Sequence, residues 1–455
     1  MDIKKNDDIQ LHIDNMTSEG SAVGHYGGIA VFVRGAVTGD DIIAHIIKTS
    51  KRYAIGIVKD IITKSPCRIK SDCAVSAKCG GCSFRNMTYA EELRFKKSRV
   101  EDAVKRIGHL DTPVREVIGA DKTDGYRNKA QYPVAICDGE LIAGFYAYKS
   151  HRIIPCDNCK LQPPEFADCL EAFAKWVEAA DVTSYDEKSG RGLLRHIYLR
   201  KTSTGEIMAC AVTNGSDLPM SEVLIDNLKR ISGVKSICQN VNTANSNVIL
   251  GDETAVLWGS KTVTDVLCGK KFEISPNSFY QVNHDQCEKL YAKAAECAGL
   301  TGSETLVDIY CGAGTIGLTM ADSAKQIFGI EIVPQAVENA RRNAEINGIT
   351  NAEYICGDAQ HGALELEKRG IKADVVVLDP PRKGCSPDLL DTVCRMQPRR
   401  IVYVSCDTAT LARDLEILDG KGYIAQEVTP VDMFPRTPHV ESVALLLNKV
   451  LSFEC

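Results

Sequence analysis

The 455-residue chain has no apolar run of the roughly 18 residues that a membrane helix needs. Its N-terminus, Met1 to Asp8, does not hold the apolar core of a signal peptide. The expected address is therefore the cytoplasm, with no membrane contact. Repeats, low-complexity tracts and long linkers are also missing, which excludes a fibrous or mainly disordered chain. An overall positive charge is lacking too. With 54 Lys and Arg against 60 Asp and Glu the net charge is −6, unlike a generally basic nucleic-acid binder. The 44% hydrophobic and 25% charged residues are those of an ordinary globular protein, and the length suggests about three domains.

What is present is uneven. From Lys48 to Lys129 there are nineteen Lys and Arg against ten Asp and Glu, a local excess that can serve as a footprint for phosphates. Cysteine is abundant, at nineteen residues. In a cytosolic chain that favours metal or catalytic duty for a few and simple burial for the rest.

Short apolar runs separated by turns fill the first segment: Ile29–Val33, Ile42–Ile47 and Tyr53–Val58, with Gly39-Asp40-Asp41 as a tight turn. This spacing predicts a small β-barrel over residues 1–63, and the module resembles the oligonucleotide-binding-like TRAM domain. Residues 64–269 read as an α+β central, RNA-binding domain with a cysteine-rich loop. Its helix, Glu91 to Ile107, has Leu93, Val100, Val104 and Ile107 as the apolar face. From 270 to 455 strands and helices alternate. The strand-like runs are Thr305–Tyr310, Gln326–Glu331, Ala352–Cys356, Ala373–Leu378 and Arg400–Ser405, with a helix over Val333–Asn347. That alternation predicts an α/β, doubly wound parallel sheet. Two further strands, Tyr423–Val428 and Ser442–Leu447, have no helix between them and predict a terminal antiparallel pair.

The loop Asp308-Ile-Tyr-Cys-Gly-Ala-Gly314-Thr-Ile-Gly317 satisfies G-x-G-x-x-G between a strand and a helix, so its backbone can approach a cofactor closely. Glu331 ends the next strand, placed for ribose hydroxyls. By itself this pair fits NAD as well as S-adenosylmethionine. Asp379-Pro-Pro-Arg-Lys-Gly384 follows a buried run, and its prolines hold the carboxylate rigidly at the sheet edge where ligands bind. Ser405-Cys406-Asp407 ends the next strand, and Thr437-Pro-His-Val-Glu441-Ser442 supplies a carboxylate. A thiol with a partner base suits covalent catalysis.

In this order D-x-Y-C-G-x-G, D-P-P-R-K-G, S-C-D and H-V-E-S closely resemble the RNA uracil-5-methyltransferases, a class I, S-adenosylmethionine-dependent family. Phe279-Tyr-Gln-Val-Asn283 matches the family's F-x-Q-V-N, and the likeness covers nearly the whole chain. The resemblance implies Cys406 as nucleophile and Glu441 as proton-abstracting base. It also implies that Asp379 and Gln281 orient base and cofactor, and that Tyr310 and Glu331 line the cofactor pocket. Thr315 and Asp358 are further cofactor candidates, and Phe279 offers a stacking face to an extruded uridine.

Cys73-x5-Cys79-Gly-Gly-Cys82 places three thiols on a glycine loop, with Cys156 or Cys159 as a fourth and Cys67 as a spare. Four cysteines suit structural zinc or a four-iron, four-sulfur cluster. The resemblance implies the cluster, with Cys159 as fourth ligand. Cluster and TRAM module together point to the branch acting on 23S ribosomal RNA, although some archaeal relatives of this layout act on transfer RNA. Two rival readings are an NAD-dependent oxidoreductase, which leaves Asp379-Pro-Pro and Cys406 unexplained, and a redox-sensing RNA-binding protein, which would need the nucleophile or base to be lost.

Overall fold

Alternating burial along Asp41–Thr49, with Ile42, Ala44 and Ile46 inside and Ile43 and His45 half-buried, makes one face of this strand apolar. A computed structural model of the chain, describing residues 3–450, shows this face closing a small β domain. Met1, the first residue of the N-terminal reading, and Cys455 lie outside the described residues. The domain is a six-stranded sheet in the order Asp8–His12, Asp41–Thr49, Tyr53–Thr63, Ile29–Arg34, Ala22–Tyr26, Asn15–Met16. The turn at Gly39 forms where expected, with φ +85°. Its neighbour Asp40 is fully buried and accepts from the Arg68 guanidinium and from the Val37 and Ser65 amides, locking the domain to the chain that follows.

The central sheet has seven strands, in the order Glu253–Gly259, Val234–Val241, Ile207–Thr213, Leu194–Lys201, Lys129–Cys137, Glu140–Tyr146, Ile153–Pro155. One face is covered by helices Glu165–Ala179 and Ser221–Leu228, with Phe166, Phe173 and Trp176 at the centre of the packing. The helix expected over 91–107 runs Tyr89–Arg106, but its faces differ from the expectation. Ile107 is exposed, whereas Glu92 and Lys96 are wholly buried. Val100 and Val104 join a core cluster made otherwise of the C-terminal sheet and its helices. This helix therefore packs on the C-terminal domain.

In the C-terminal sheet the strands are β1 (Thr305–Ile309), β2 (Gln326–Glu331), β3 (Ala352–Cys356), β4 (Val375–Leu378), β5 (Arg400–Ser405), β6 (Tyr423–Val431) and β7 (Glu441–Asn448). Their order is β3-β2-β1-β4-β5-β7-β6, with β7 antiparallel to both neighbours. Strand β4, Val-Val-Val-Leu, is buried on both faces, as a central parallel strand requires. Helices follow the first five strands, among them Pro334–Ile346 with proline in its first turn. No helix among the described residues is long and apolar enough to cross a membrane.

Candidate active site

Ligands of doubly wound sheets sit at the carboxyl ends of the strands, and the candidate residues collect there. The chain leaves β1 through Tyr310, whose φ of +69° is a strained value for a residue with a side chain. That turn aims the Tyr310 and Cys311 amides at the Ile330 carbonyl, at 3.0 and 3.1 Å. Gly312 then donates its N–H to Glu331 Oε2 at 3.1 Å, while Val333 N–H donates to Oε1 at 2.8 Å. Two amides thus orient the Glu331 carboxylate before any ligand arrives. The loop glycines have separate reasons. A Cβ at Gly314 would lie 2.8 Å from Tyr354 Oη, but one at Gly312 would meet nothing within 4 Å. Gly314 makes room for packing, and Gly312 borders open space.

Asp308 accepts from Gly317 N–H at 2.9 Å, and burial raises its pKa to about 7 with Glu331 adding to the effect. Asp379, just past β4, keeps some solvent access, yet the protein surrounding it and the Asp308 charge raise it to about 7 as well. Glu441 opens β7 and is nearly fully buried. Burial first, then Asp379, pushes it up to about 8 against the opposing pull of Arg382. Carboxyl groups from β2, β1, β4 and β7 therefore line one edge of the sheet. Such a row favours a cationic ligand.

Cross-strand register brings Cys406 to this row. In the antiparallel pair of β5 and β7, Ser405 faces Ser442. Cys406 follows Ser405 and Glu441 precedes Ser442, so both stand at the same end of this pair, and the Glu441 charge is felt at the Cys406 thiol. Glu441 itself pairs with Val431 of β6. Cys406 is half-buried, and burial followed by the Glu441 and Asp379 charges pushes its thiol up to about 11, with Arg382 pulling the other way. Asp407, next in the chain, caps helix Thr408–Gly420 by accepting from the Ala409 and Thr410 amides, which holds the turn around Cys406 rigid.

The remaining expected residues are less tightly gathered. Tyr310 reaches the Cys385 thiol with its hydroxyl and feels the Asp358 charge. Asp358 caps helix Ala359–Lys368 through His361 N–H at 3.0 Å. The Thr315 hydroxyl is bonded to that of Tyr291 at 2.8 Å and so faces the protein. Gln281 accepts from Asn128 Nδ2 with its backbone carbonyl at 2.9 Å, while its side chain makes no hydrogen bond among the described residues. Phe279 beside it is 75% exposed. Sequence reasoning quoted Arg382 inside its motif without giving it a task, although it is the cation that faces both Cys406 and Glu441. It also missed a rim: Arg382, Arg99 and Arg127 surround His439, with the buried Lys96 nearby, and the His439 pKa is lowered by partial burial and then by these cations. Arg99 and Arg127 lie within the basic segment 48–129, which is the visible signal for them.

The cysteine loop packs on the central domain. Cys79 bridges to Ala147, and Gly80 donates to the Tyr146 carbonyl at 3.1 Å. A Cβ on Gly80 would be squeezed 3.1 Å from that carbonyl, so the loop needs its glycine to dock. Docking brings Cys73, Cys79 and Cys82 into electrostatic reach of Cys159. Cys156 bonds to Cys159, and this bond followed by the Leu161 amide and Arg85 holds the Cys159 thiol below its usual range despite burial. Arg85 is buried beside Cys82 and Cys159, and its Nη2 has no hydrogen-bond partner. Cys67 stands apart, its thiol directed at Glu91. As they stand, no three His, Cys, Asp or Glu side chains among the described residues converge tightly enough to hold a metal ion.

The strand order, the glycine loop after β1 and the carboxylate closing β2 define a methyltransferase fold of class I. The chain belongs to the RNA uracil-5-methyltransferase family. The profile of the family described as tRNA (Uracil-5-)-methyltransferase matches residues 262–450. An uncharacterized RNA methyltransferase of Halalkalibacterium halodurans is 45% identical over 98% of both chains. One from Clostridium acetobutylicum is 45% identical over the same shares. Among solved structures, the tRNA (uracil-54, C5)-methyltransferase of Pyrococcus abyssi, in complex with S-adenosyl-L-homocysteine, is similar over 96% of this chain and 100% of that one. Its TM-score is 0.78 and its sequence identity 29%.

Proposed function

We propose that this protein transfers a methyl group from S-adenosylmethionine to carbon 5 of a uridine in RNA, with Cys406 as nucleophile and Glu441 as base. The observation that carries this reading is the pairing of Ser405 with Ser442, which brings Cys406 and Glu441 to the same end of the β5–β7 pair, within electrostatic reach of each other at the ligand edge of the sheet. The donor, when bound, supplies an electrophilic methyl on a sulfonium, and the carboxylate row with the oriented Glu331 suits its positive charge and ribose hydroxyls. Carbon 5 of uracil is too weak a nucleophile to take that methyl unaided. Cys406 releases its thiol proton to water and its sulfur adds to carbon 6, while the carbon 5–carbon 6 electron pair shifts toward the carbon 4 oxygen and gives carbon 5 enolate character. Asp379, protonated in part near neutrality, sits where it can bond the base and hold it in plane. After transfer, carbon 5 carries both a methyl and a proton. Glu441, whose raised pKa makes it a stronger base than an exposed glutamate, removes that proton, and the Cys406 sulfur leaves as the double bond re-forms. Entry of the base to this edge requires its extrusion from the stack, with exposed Phe279 available for stacking and the Arg382, Arg99 and Arg127 rim for phosphates.

The finer parts of the reading rest on particular segments. The docked loop offers Cys73, Cys79, Cys82 and Cys159 as four soft donors, and the buried Arg85 beside them pairs with Asp124 and Asp72 but keeps Nη2 without a hydrogen bond, a setting that fits an anionic four-iron, four-sulfur site. The six-stranded N-terminal domain fits a TRAM-type RNA-binding module. With both present, 23S ribosomal RNA is the favoured substrate. Transfer RNA is the second reading, favoured by the substrate of the similar P. abyssi enzyme.

The decisive experiment uses Glu441→Gln with methyl-tritiated donor and substrate RNA. Gln keeps size and hydrogen bonding but takes no proton at neutral pH. The expected result is a denaturation-resistant protein–RNA band carrying tritium and little free product. Normal turnover by this variant would place the base elsewhere, with His439 the first alternative.

A further inference from the structure

Lys96 lies in the middle of a helix whose other lysines face solvent, yet its side chain is 0% exposed. Its ammonium donates to Glu92 Oε1 at 2.7 Å, to Asp432 Oδ1 at 2.5 Å and to the Phe434 carbonyl at 3.2 Å. Both carboxylates are buried with it. Burying three charged groups together is expensive unless every lone pair is used, and most here are. Asp432 Oδ2 accepts from Tyr89 at 2.7 Å, and Glu92 Oε1 accepts from Arg436 N–H at 2.7 Å. Nothing in the cofactor pocket or the RNA rim requires this network.

Its place in the chain supplies a reason. Asp432 directly follows Val431, the cross-strand partner of Glu441. Residues 432–440 form the strap that joins β6 to β7 and so leads into Glu441. The strap lacks regular structure, Arg436 has φ +71°, and its own bonds are short-range turns such as Thr437 N–H to the Phe434 carbonyl at 3.2 Å. The rest of the chain pins it from outside. Arg99 bonds the Pro438 carbonyl at 2.7 Å, Tyr126 the Pro435 carbonyl at 2.9 Å and Asn283 the Met433 carbonyl at 3.1 Å. Lys96 is the group in this clamp that ties down both ends of the Asp432–Phe434 turn by charge.

We infer that Lys96, with Glu92 and Asp432, is a positioning residue for Glu441, and that the helix Tyr89–Arg106 serves the proton-abstraction step of the reaction proposed above. The inference rests on that reading. A base displaced by about 1 Å can cost roughly 100-fold in rate, and here the loss falls on the step after methyl transfer. Lys96 touches neither substrate nor cofactor and acts through the strap.

The test is Lys96→Met, near in length and without charge. Expected are unchanged affinities for S-adenosylmethionine and RNA, a kcat lower by about 100-fold with KM unchanged, and accumulation of the methylated protein–RNA adduct. Because Met leaves two buried carboxylates facing each other, a triple variant, Lys96→Met with Glu92→Gln and Asp432→Asn, restores neutrality and is measured alongside. Adduct accumulation in folded Lys96→Met, or in the triple variant where the single one does not fold, supports the clamp. Free product at the wild-type rate from that same protein, or a slower rate with no adduct, overturns it. The wild type on RNA containing 5-fluorouridine is the separating control, because fluorine cannot leave carbon 5 as a cation. Failure to form an adduct there removes the catalytic reading and the clamp with it. An adduct there with normal turnover of the Lys96 variants removes the clamp alone.

Discussion

Cys406 holds a thiol that burial and two facing carboxyl groups keep protonated well past neutrality when the site is empty. Its reactivity must come from the bound complex, where a base and donor displace water and Arg382 lies near. Cys406→Ala is expected to abolish methylation while leaving S-adenosylmethionine affinity nearly unchanged, since the cofactor loop is built from β1 and β2. Isothermal titration beside a tritium-transfer assay reads both quantities, and methylation by this variant near the wild-type rate would end the covalent mechanism. Glu441 gives a pH prediction with a definite sign. With its pKa raised to about 8 it must lose a proton to act, so kcat/KM should climb as pH rises from about 6.5 through 8. Stability should run the opposite way. Between its ordinary range and about 8 the folded protein keeps a proton on Glu441 that the unfolded chain has released, so the native state loses stability as pH rises through that window. Asp379 and Asp308 act in the same direction up to about 7. Glu441→Gln should therefore melt a few degrees higher than wild type at pH 8 and nearly level with it at pH 4.5. Calorimetry at the two pH values checks this, and equal melting shifts at both would contradict the buried, raised carboxyl.

Among the elements, the cysteine loop 73–82 and the strap 432–440 share a property: neither has regular structure, and each is pinned by groups far away in sequence. For the loop the holding contacts are the Gly80–Tyr146 bond and the approach to Cys159. Protein purified without oxygen should be brown, with iron and acid-labile sulfide near about four each per chain. Cys82→Ser should lose the colour and weaken RNA binding more than cofactor binding, because the loop docks on the central sheet and away from β1 and β2. Stoichiometric zinc without sulfide in the anaerobic protein would reverse the metal assignment.

For the whole molecule, the basic segment and the acidic remainder belong to different surfaces: a cationic rim outside Cys406 and a carboxylate row within. In the proposed reading, RNA approaches from the rim side while the cofactor is held on the other. Mapping 5-methyluridine in total RNA from a strain lacking the gene reads the substrate directly. Loss confined to 23S ribosomal RNA is the expected outcome, and loss confined to transfer RNA would select the second reading.

The sequence alone settled the catalytic sheet, because strand and helix periods and glycine or proline at turns are local properties that neighbouring residues enforce. Strands β2, β3 and β5 begin and end where the apolar runs do. Motif spacing likewise put Glu331, Asp379 and Cys406 at the ends of consecutive or neighbouring strands. The sequence also anticipated the terminal antiparallel pair, but not that β7 inserts between β5 and β6. That Cys406 and Glu441 come to the same end of the sheet follows from this antiparallel insertion beside β5, a contact between residues far apart in the chain. The same limit hid Lys96 and Ile107. A helical wheel tells the apolar face from the polar one, but burial of Lys96 depends on a carboxylate delivered from residue 432, and exposure of Ile107 on where the rest of the chain packs. Periodicity is written in adjacent residues. Charge pairing in a core is decided only when the chain returns to itself.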